Sequence, residues 1–554
     1  MGVNHPSIGS MNTLARTMPP EMIRKKLIAM AQAMGVENFR IKAAREIVAG
    51  TKPERAVPEV YHPYRALVCD GIQFFLSHIS LDRLLDVMVL QLRMDRQSPA
   101  EERLLELAKH FPTMHKLGQI IARNQNIEPG VRQWLIHLEN GRYGTLPDDL
   151  LAHIGVRLNS INKHHGVQID PHILSEASVG AVIPFKRRAD GKRGGVRGVF
   201  KVLKPNIKEK LAEELAVFEK IAAFFEQHRH RYALKDFRFL DVFKDVAEIL
   251  EKEVDLCAEQ SHLCEAVRFY KDTDSIVIPD KLEFSDDTMT AMAHIVGEKI
   301  TDAQMTYAQR RDCANTLAQE LICRPIFAPG DATLFHGDPH AGNILWSAGS
   351  GYHGAQIALL DWSLAGHLTQ GVRVKMVQFI KSVITDDHGQ ICRSIRSLAA
   401  EGSAKGALSR TGLRRTVASR LRSKDHIRFS LLKKAFWLLE QLSYEGVVFP
   451  KDLMLFRKAI FTLEGVLYDL DPQFNLDTFL FKYMGALIAD EMPSRLGRTL
   501  FFQADKPENY QSLLSNGDLQ MMMLNQYTAM IERHTRTAVR LLEKQTQIMR
   551  LMFN

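Results

Sequence analysis

The chain has few cysteines, six in 554 residues, and no two of them form a CxxC pair. That spacing excludes the common zinc-ribbon and thioredoxin-like sites and suits free thiols in a reducing compartment. Long apolar runs are also missing. Gly71–Leu92 and Phe481–Ala489 are the most apolar stretches, and both carry polar or charged interruptions. A spanning helix needs about 20 predominantly apolar residues. The opening residues, MGVNHPSIGSMNTLARTMPP, lack the apolar core of a secretory signal. The expected location is therefore cytoplasmic, with any membrane attachment peripheral and salt-sensitive. No GxxxxGK[ST] stretch occurs, so a Walker-type nucleotide loop is unsupported. Charge of one sign is only mildly in excess: 72 Lys and Arg against 64 Asp and Glu give +8. That balance suits anionic partners, whether nucleotides, lipid headgroups or nucleic acid, and selects none of them.

What is present is an ordinary globular composition, 45% hydrophobic and 25% charged. Pro19 and Glu21 open a helix that runs to Met34, where Gly35 stops it. Residues 63–140 read as helical, and Ser98-Pro99-Ala100-Glu101 predicts a capping box. From about 170 the texture turns β-like, with strands at Val179–Phe185 and Val196–Leu203. Helical patterns follow at 206–228 and 237–270, then strands near Ile276 and at Met289–Val296. A helix over 304–322 precedes a loop-rich segment, 324–343. Ile344–Trp346 and Gln356–Leu360 predict a hairpin. Beyond about 370 the chain is helical almost to its end.

The chemistry is concentrated in Phe335-His336-Gly337-Asp338-Pro339-His340-Ala341-Gly342-Asn343. An Asp precedes an Asn by five positions, and a strand-like run leads on to Asp361. This is the spacing of a kinase catalytic loop followed by a metal-binding Asp. Phosphoryl transfer needs a carboxylate near the attacking oxygen, a role Asp338 fits. It also needs hard oxygen ligands for magnesium, which Asn343 and Asp361 can supply. A polar loop of Asx turns is the plainer reading, and three matched positions between strands weigh against it. Gly349–Gly354 reads GxGxxG, but no helix follows, so it marks a hairpin tip.

A kinase catalytic half requires a lysine-bearing strand upstream. Gly198-Val199-Phe200-Lys201-Val202-Leu203 supplies one, although a solvent-facing lysine on an edge strand fits the same pattern. Before it, Ser175–Val182 is rich in small residues but not in glycine. Glutamate candidates lie in Glu251–Glu259, and Lys116 and Gln119 form an i,i+3 pair on a polar helix face.

Together these elements resemble the UbiB/AarF family of atypical kinase-like proteins, associated with ubiquinone biosynthesis. Lys116-Leu117-Gly118-Gln119 matches its KxGQ motif, and Glu253-Val254-Asp255 its ExD motif. Glu176–Val182 is similar to its alanine-rich loop, with Glu176 where alanine is usual. His336–Asn343 matches HxDPHxGN with Ala341 in place of proline, and Trp362-Ser363 follow the metal-binding Asp361 where Phe-Gly is usual. The resemblance runs from about 110 to 370. It implies an α+β, protein-kinase-like two-lobe fold. The implied division is an N-terminal helical segment, 1–62, and a helical extension with the KxGQ motif, 63–168. A β-rich lobe with inserted helices follows at 169–300, a helical lobe at 301–450 and a helical C-terminal region at 451–554. ATP and Mg2+ are the implied cofactors. Asp338, Lys201 and Glu259 carry the implied catalytic roles, and Ala177, Ser178, Val179, Gly180, Lys201, Met292, His294, Asn343 and Asp361 the nucleotide contacts. Asn343 and Asp361 are the metal ligands; Lys116, Gln119, Glu253 and Asp255 are regulatory, with Lys116 expected to pair with both ExD carboxylates.

The expected function is Mg-ATP binding with ATPase or small-molecule or lipid kinase activity, supporting isoprenoid-quinone metabolism. The alternatives are an aminoglycoside- or choline-kinase-like phosphotransferase, which the KxGQ and ExD motifs disfavour, and a nucleotide-gated scaffold. The expected partners are a nucleotide, a lipid or quinone-precursor ligand, a membrane surface and a second copy of the chain, with no nucleic acid. Arg410–Arg428 is densely basic and reads first as a solvated helix face, second as an anionic-surface contact. His164-His165 and His228-Arg229-His230 read as surface histidines. From Met521 the chain carries heptad-like apolar residues, with docking onto its own body as the default.

Overall fold

The computed structural model describes residues 18–57, 62, 65–95, 97–114, 116, 147–187, 196–232, 239–347, 356–403, 409–423 and 429–524. In chain order the helices are α1 (Pro20–Met34), α2 (Val36–Thr51), α3 (Arg65–His78), α4 (Leu81–Arg93), α5 (Ala100–Lys109) and α6 (Pro147–His165). The strands β1 (Val167–Ile169), β2 (Ser175–Glu176), β3 (Gly180–Arg187) and β4 (Val196–Leu203) follow, then α7 (Ile207–Gln227), α8 (Phe239–Glu253) and α9 (Leu256–Phe269). Next come β5 (Ile276–Val277), β6 (Met289–Ala293), β7 (Glu298–Lys299), α10 (Tyr307–Ala318), β8 (Ala332–His336), β9 (Ile344–Ser347), β10 (Gln356–Leu359) and β11 (Ala365–Thr369). The rest is helical: α11 (Gln370–Ile384), α12 (His388–Leu398), α13 (Arg410–Arg422), α14 (Leu431–Tyr444), α15 (Lys451–Leu470) and α16 (Leu476–Leu500). All six cysteines are free thiols.

The chain divides into two compact units. One holds the residues up to Ser261 together with Asp280–His294, the other His262–Pro279 and everything from Ile295 on. In the first, β1, β3, β4 and β6 form an antiparallel sheet in that order, with β2 paired to β3. Strand alternation sorts its side chains. Ala181, Ile183 and Phe185 of β3, Phe200 and Val202 of β4, and Met289 and Ala291 of β6 share one core with Leu150, Ile154, Leu158 and Ile161 of α6. Leu203 lies on the other face, in a cluster with Val179, Ile207 and Leu256. Lys201 shares that second face by parity. A separate helical core joins α1 to α5 with α7 and α8, and Phe75 meets Phe111 edge-on at 4.9 Å. Within it Glu214 is fully buried. It pairs with Arg83 and accepts Thr113 N–H at 3.0 Å and the Thr113 hydroxyl at 2.6 Å. Burial still holds its carboxyl above the usual range.

In the second unit β5, β10, β9 and β7 form one sheet, with β5 parallel to β10, and β11 pairs with β8. The hairpin is present, Ile344 opposite Leu359. One large core joins these strands to the later part of α9 and to α10–α16.

Three local expectations are corrected. The helix expected over 237–270 breaks at Val254-Asp255, because Asp255 turns its Oδ1 to accept Ala258 N–H at 3.0 Å and so starts a new helix. Ser98 does not cap α5. Pro99 occupies the cap and accepts the first helical bond, from Arg103 N–H. The helix from Tyr307 passes through a π turn, Gln319–Cys323, and continues over Arg324–Phe327, which were expected to be loop.

The end of α16 is closed by buried charge. Arg495 is 2% exposed and donates to Glu491 at 2.6 Å, to Ser512 at 2.7 Å and to the Leu514 carbonyl at 2.9 Å. Arg495→Ala would leave Glu491 buried without its cation, which costs about 3–5 kcal/mol. The expected result is a clearly lowered melting temperature by circular dichroism. A melting curve identical to that of the unmodified chain would show the pair to be dispensable.

Candidate active site

In the first unit Lys201 lies on β4, between β3 and β6, opposite Val182 on one side and Thr290 on the other. It is therefore interior to the sheet and not on an edge strand. Its ammonium donates to Glu259 Oε1 at 2.6 Å, and Glu259 is 3% exposed on α9. Such a pair persists in a low-dielectric setting only with good geometry and further hydrogen bonds. The break before α9 sets this geometry: a new helix begins at Leu256, which packs on Leu203, and places Glu259 one turn in.

Glu253 ends α8 and meets Lys116 in a salt bridge in which both side chains are largely buried. Its other oxygen lies 3.5 Å from the Ser178 hydroxyl. Asp255, expected beside Lys116, instead caps α9 through Ala258 N–H. The two acidic residues of one motif thus do different work, an anion for Lys116 and a helix cap. Gln119 lies outside the described residues.

The small-residue loop is a tight turn. Ala177 N–H donates to Gly180 O at 2.8 Å, and Lys204 N–H to Val179 O at 2.9 Å. A Cβ at Gly180 would lie 2.8 Å from the Val202 carbonyl, so the backbones approach too closely for a side chain. Glu176, which stands where alanine is usual in the resembled family, has its carboxylate bound by Lys204 at 2.9 Å, and both side chains are mostly buried. Burial lowers the Lys204 pKa and Glu176 opposes that shift. This pair depends on strand register, which brings Glu176 opposite Ala181 and Ala181 opposite Val202. No local sequence signal reports it. Met292 lies opposite Val199 on β6, and His294 donates its N–H to the Arg197 carbonyl at 3.1 Å. Burial and the neighbouring Arg197 lower the His294 pKa.

The second unit carries Asp338, Asn343 and Asp361. His336 organises their loop. Its Nδ1 accepts Asp338 N–H at 3.2 Å and its Nε2 donates to the Leu360 carbonyl at 2.9 Å, which defines a neutral tautomer. Gly337 N–H donates to Leu364 O at 2.7 Å, and a Cβ there would sit 2.8 Å from the same oxygen. Asn343 turns its Nδ2 onto the Asp338 carbonyl at 3.1 Å, which presents its amide oxygen on the opposite side. Asp361 has φ 54, a left-handed conformation that Asp tolerates better than most residues. Its Oδ1 accepts Ser363 N–H at 3.2 Å. An amide oxygen and a carboxylate so held fit a hard cation such as Mg2+.

Trp362 is fully buried. Its ring stands 4.7 Å from that of His336, and its carbonyl accepts from His262 Nδ1 at 3.1 Å. The left-handed residue of this turn is Asp361, while Ser363 has no positive φ, so no glycine is required after the tryptophan.

Of the discounted features, His164 bonds the Ser160 carbonyl and His165 lies 3.2 Å from Glu283. Among the described residues no group of three or more His, Cys, Asp or Glu side chains is placed to hold a metal ion. On α13, Thr411, Arg414, Arg415, Ala418, Ser419 and Arg422 line an open hollow of about 770 Å3. Lys424 and Arg428 lie outside the described residues, as does the chain from 525 on. No described helix is long and apolar enough to cross a membrane.

Burial lowers the His336 pKa, while the Leu360 carbonyl, Asp338 and Asp361 act in the opposite sense. A histidine depressed on folding binds fewer protons folded than unfolded. The stability it contributes is complete above its unfolded pKa of about 6.5 and is lost as pH falls below that value toward the folded pKa. The His336 imidazole followed by NMR should titrate below about 6.5. A midpoint above that value would contradict the neutral, doubly bonded ring.

Residues 159–395 match the model of the ABC1 atypical kinase-like domain. The chain is 25% identical over 402 residues to protein sll1770 of Synechocystis, covering 70% of this chain and 64% of that protein. It is 22% identical over 396 residues to the probable protein kinase UbiB of Xylella fastidiosa, covering 69% and 68%. It is 23% identical over 359 residues to ACTIVITY OF BC1 COMPLEX KINASE 1, chloroplastic, of Arabidopsis thaliana, covering 62% and 50%. The chain thus spans between half and about two thirds of the length of these curated relatives.

Proposed function

We propose that this chain, which carries an ABC1 atypical kinase-like domain over residues 159–395, binds Mg-ATP and transfers or hydrolyses its terminal phosphoryl group. The observation that carries the reading is the Lys201–Glu259 pair at 2.6 Å on an interior strand. An ammonium held there by a buried carboxylate is pre-positioned for phosphate oxygens. Ala177, Ser178, Val179 and Gly180 would lie along the nucleotide, with Met292 and His294 as further contacts. Asn343 and Asp361 would hold Mg2+, which when bound offsets phosphate charge. Asp338 would orient the attacking hydroxyl or water and accept its proton.

The acceptor follows from Lys116. Its salt bridge to Glu253, close to the Ser178 hydroxyl, ties the segment before α6 to the small-residue loop. That tie favours water, a small molecule or a lipid over a polypeptide as acceptor. A role in quinone or isoprenoid-lipid metabolism is what the resemblance to the UbiB/AarF family implies.

Asp361→Asn keeps the left-handed backbone, which Asn also tolerates, and removes a charge from the cation site. It should abolish Mg-dependent stabilisation by ATP in a thermal-shift assay and leave the ligand-free melting point nearly unchanged. An undiminished ATP shift would refute the assignment. Lys116→Ala breaks the tie to Glu253. Turnover or nucleotide selectivity should change, and autophosphorylation measured with radiolabelled ATP should rise. If all three stay at the level of the unmodified chain, Lys116 has no part in acceptor choice.

A further inference from the structure

Helix α9 grips the chain just beyond Asp361 at two points. His262 Nδ1 lies 3.1 Å from the Trp362 carbonyl, and because a carbonyl only accepts, that nitrogen carries the proton. One turn on, Glu265 Oε1 meets His367 Nε2 at 2.8 Å. Residues three apart share a helix face, so one face of α9 holds both ends of the segment 362–367. That face is itself fixed, because Leu263 and Ala266 are buried in the same large core as Trp362. From other elements, Gly337 N–H donates to the Leu364 carbonyl at 2.7 Å, and Asp452 accepts His367 N–H at 3.4 Å.

The first contact bears directly on a cation ligand. The Trp362 carbonyl and the Ser363 N–H are opposite edges of one planar peptide unit. His262 holds the carbonyl edge, and the N–H edge donates to Asp361 Oδ1 at 3.2 Å. Because the unit is rigid, turning it would break both bonds together. Asp361 needs such a restraint. Its φ of 54 is sparsely populated for a residue with a side chain, and such a conformation persists where the surroundings over-determine it. Trp362 adds to the restraint: its ring is fully buried, 4.7 Å from that of His336, and its indole N–H points to the Leu359 carbonyl at 3.4 Å. Spacing along the chain gives no sign of this relay, since His262 stands 100 positions before Trp362.

We propose that His262 is a positioning residue for Asp361, acting through the Trp362–Ser363 peptide unit and not as a ligand itself. It fixes the direction of the carboxylate that would meet Mg2+. The inference rests on the reading of Asn343 and Asp361 as cation ligands. It adds to that reading a residue outside the KxGQ, ExD and HxDPHxGN motifs. Groups behind a metal ligand orient it, and their loss typically weakens metal binding by about 10–100-fold. A histidine that only filled space would change stability and leave the cation affinity alone. His262 is half-buried, so replacing it opens no large cavity.

The test is a Mg2+ titration of the full chain at saturating ATP, read as a thermal shift, which involves no turnover. His262→Ala removes the donor. His262→Asn sets an amide N–H close to the Nδ1 position, whereas His262→Gln sets it near Nε2. The Mg2+ concentration at half-maximal shift should rise about tenfold or more in His262→Ala and His262→Gln. In His262→Asn it should stay close to that of the unmodified chain. Equal midpoints in all four proteins would overturn the inference, as would a rise in His262→Asn as large as in His262→Ala. So would a lowered ligand-free melting temperature in His262→Ala with an unmoved midpoint, which would make the histidine a packing residue. Each of these outcomes leaves Asp361 as a cation ligand. An unmodified chain with no Mg-dependent shift would instead remove the ligand reading, and this inference with it.

Discussion

An ammonium on an interior strand must be given an anion, and the first unit is built to supply one. Lys201 lies on β4, flanked by strands on both sides, and the alternation that sends Phe200 and Val202 into the α6 core sends Lys201 to the opposite face. Hydrophobic burial therefore fixes where the charge points. The anion comes from α9, whose start is set by Asp255 as cap and by Leu256 packed on Leu203. Had the helix over 237–270 been continuous, Glu253 and Glu259 would have faced different directions from one axis. The break lets each glutamate meet its own lysine.

The same rule recurs at several buried carboxylates. Glu214 is held by Arg83 and Thr113, Glu176 by Lys204, Glu253 by Lys116 and Glu491 by Arg495. A buried pair is weak evidence for stability, since desolvation offsets most of its Coulomb gain. Its worth lies in specifying one arrangement, because losing either partner leaves an uncompensated charge. Apart from Glu491 with Arg495, one turn apart on α16, these pairs join segments distant in sequence and so fix tertiary geometry more than local structure.

In the second unit, backbone geometry carries the corresponding constraint. His336 bonds to the main chain through both ring nitrogens, Asn343 bonds to the Asp338 carbonyl, and Asp361 adopts a left-handed turn. The oxygens suited to a cation are thus oriented by main-chain contacts before any ligand arrives. Trp362 fills the core next to His336 and leaves no requirement for a glycine hinge.

The sequence by itself determined the hairpin at 344–359 and the catalytic-type spacing of Asp338, Asn343 and Asp361, which depend on periodicity and on short separations that residue order records directly. The α+β, kinase-like class followed from the family resemblance those motifs carry. The pairing of Lys201 with Glu259 was legible only through the family resemblance. Tertiary structure alone decided that Glu176 is neutralised by Lys204, that Asp255 caps a helix and does not meet Lys116, and that α16 buries Glu491 and Arg495. The reason is physical. Strand register, the angle at a helix break and the choice of which helix face is covered depend on packing between distant segments, and no local pattern encodes them.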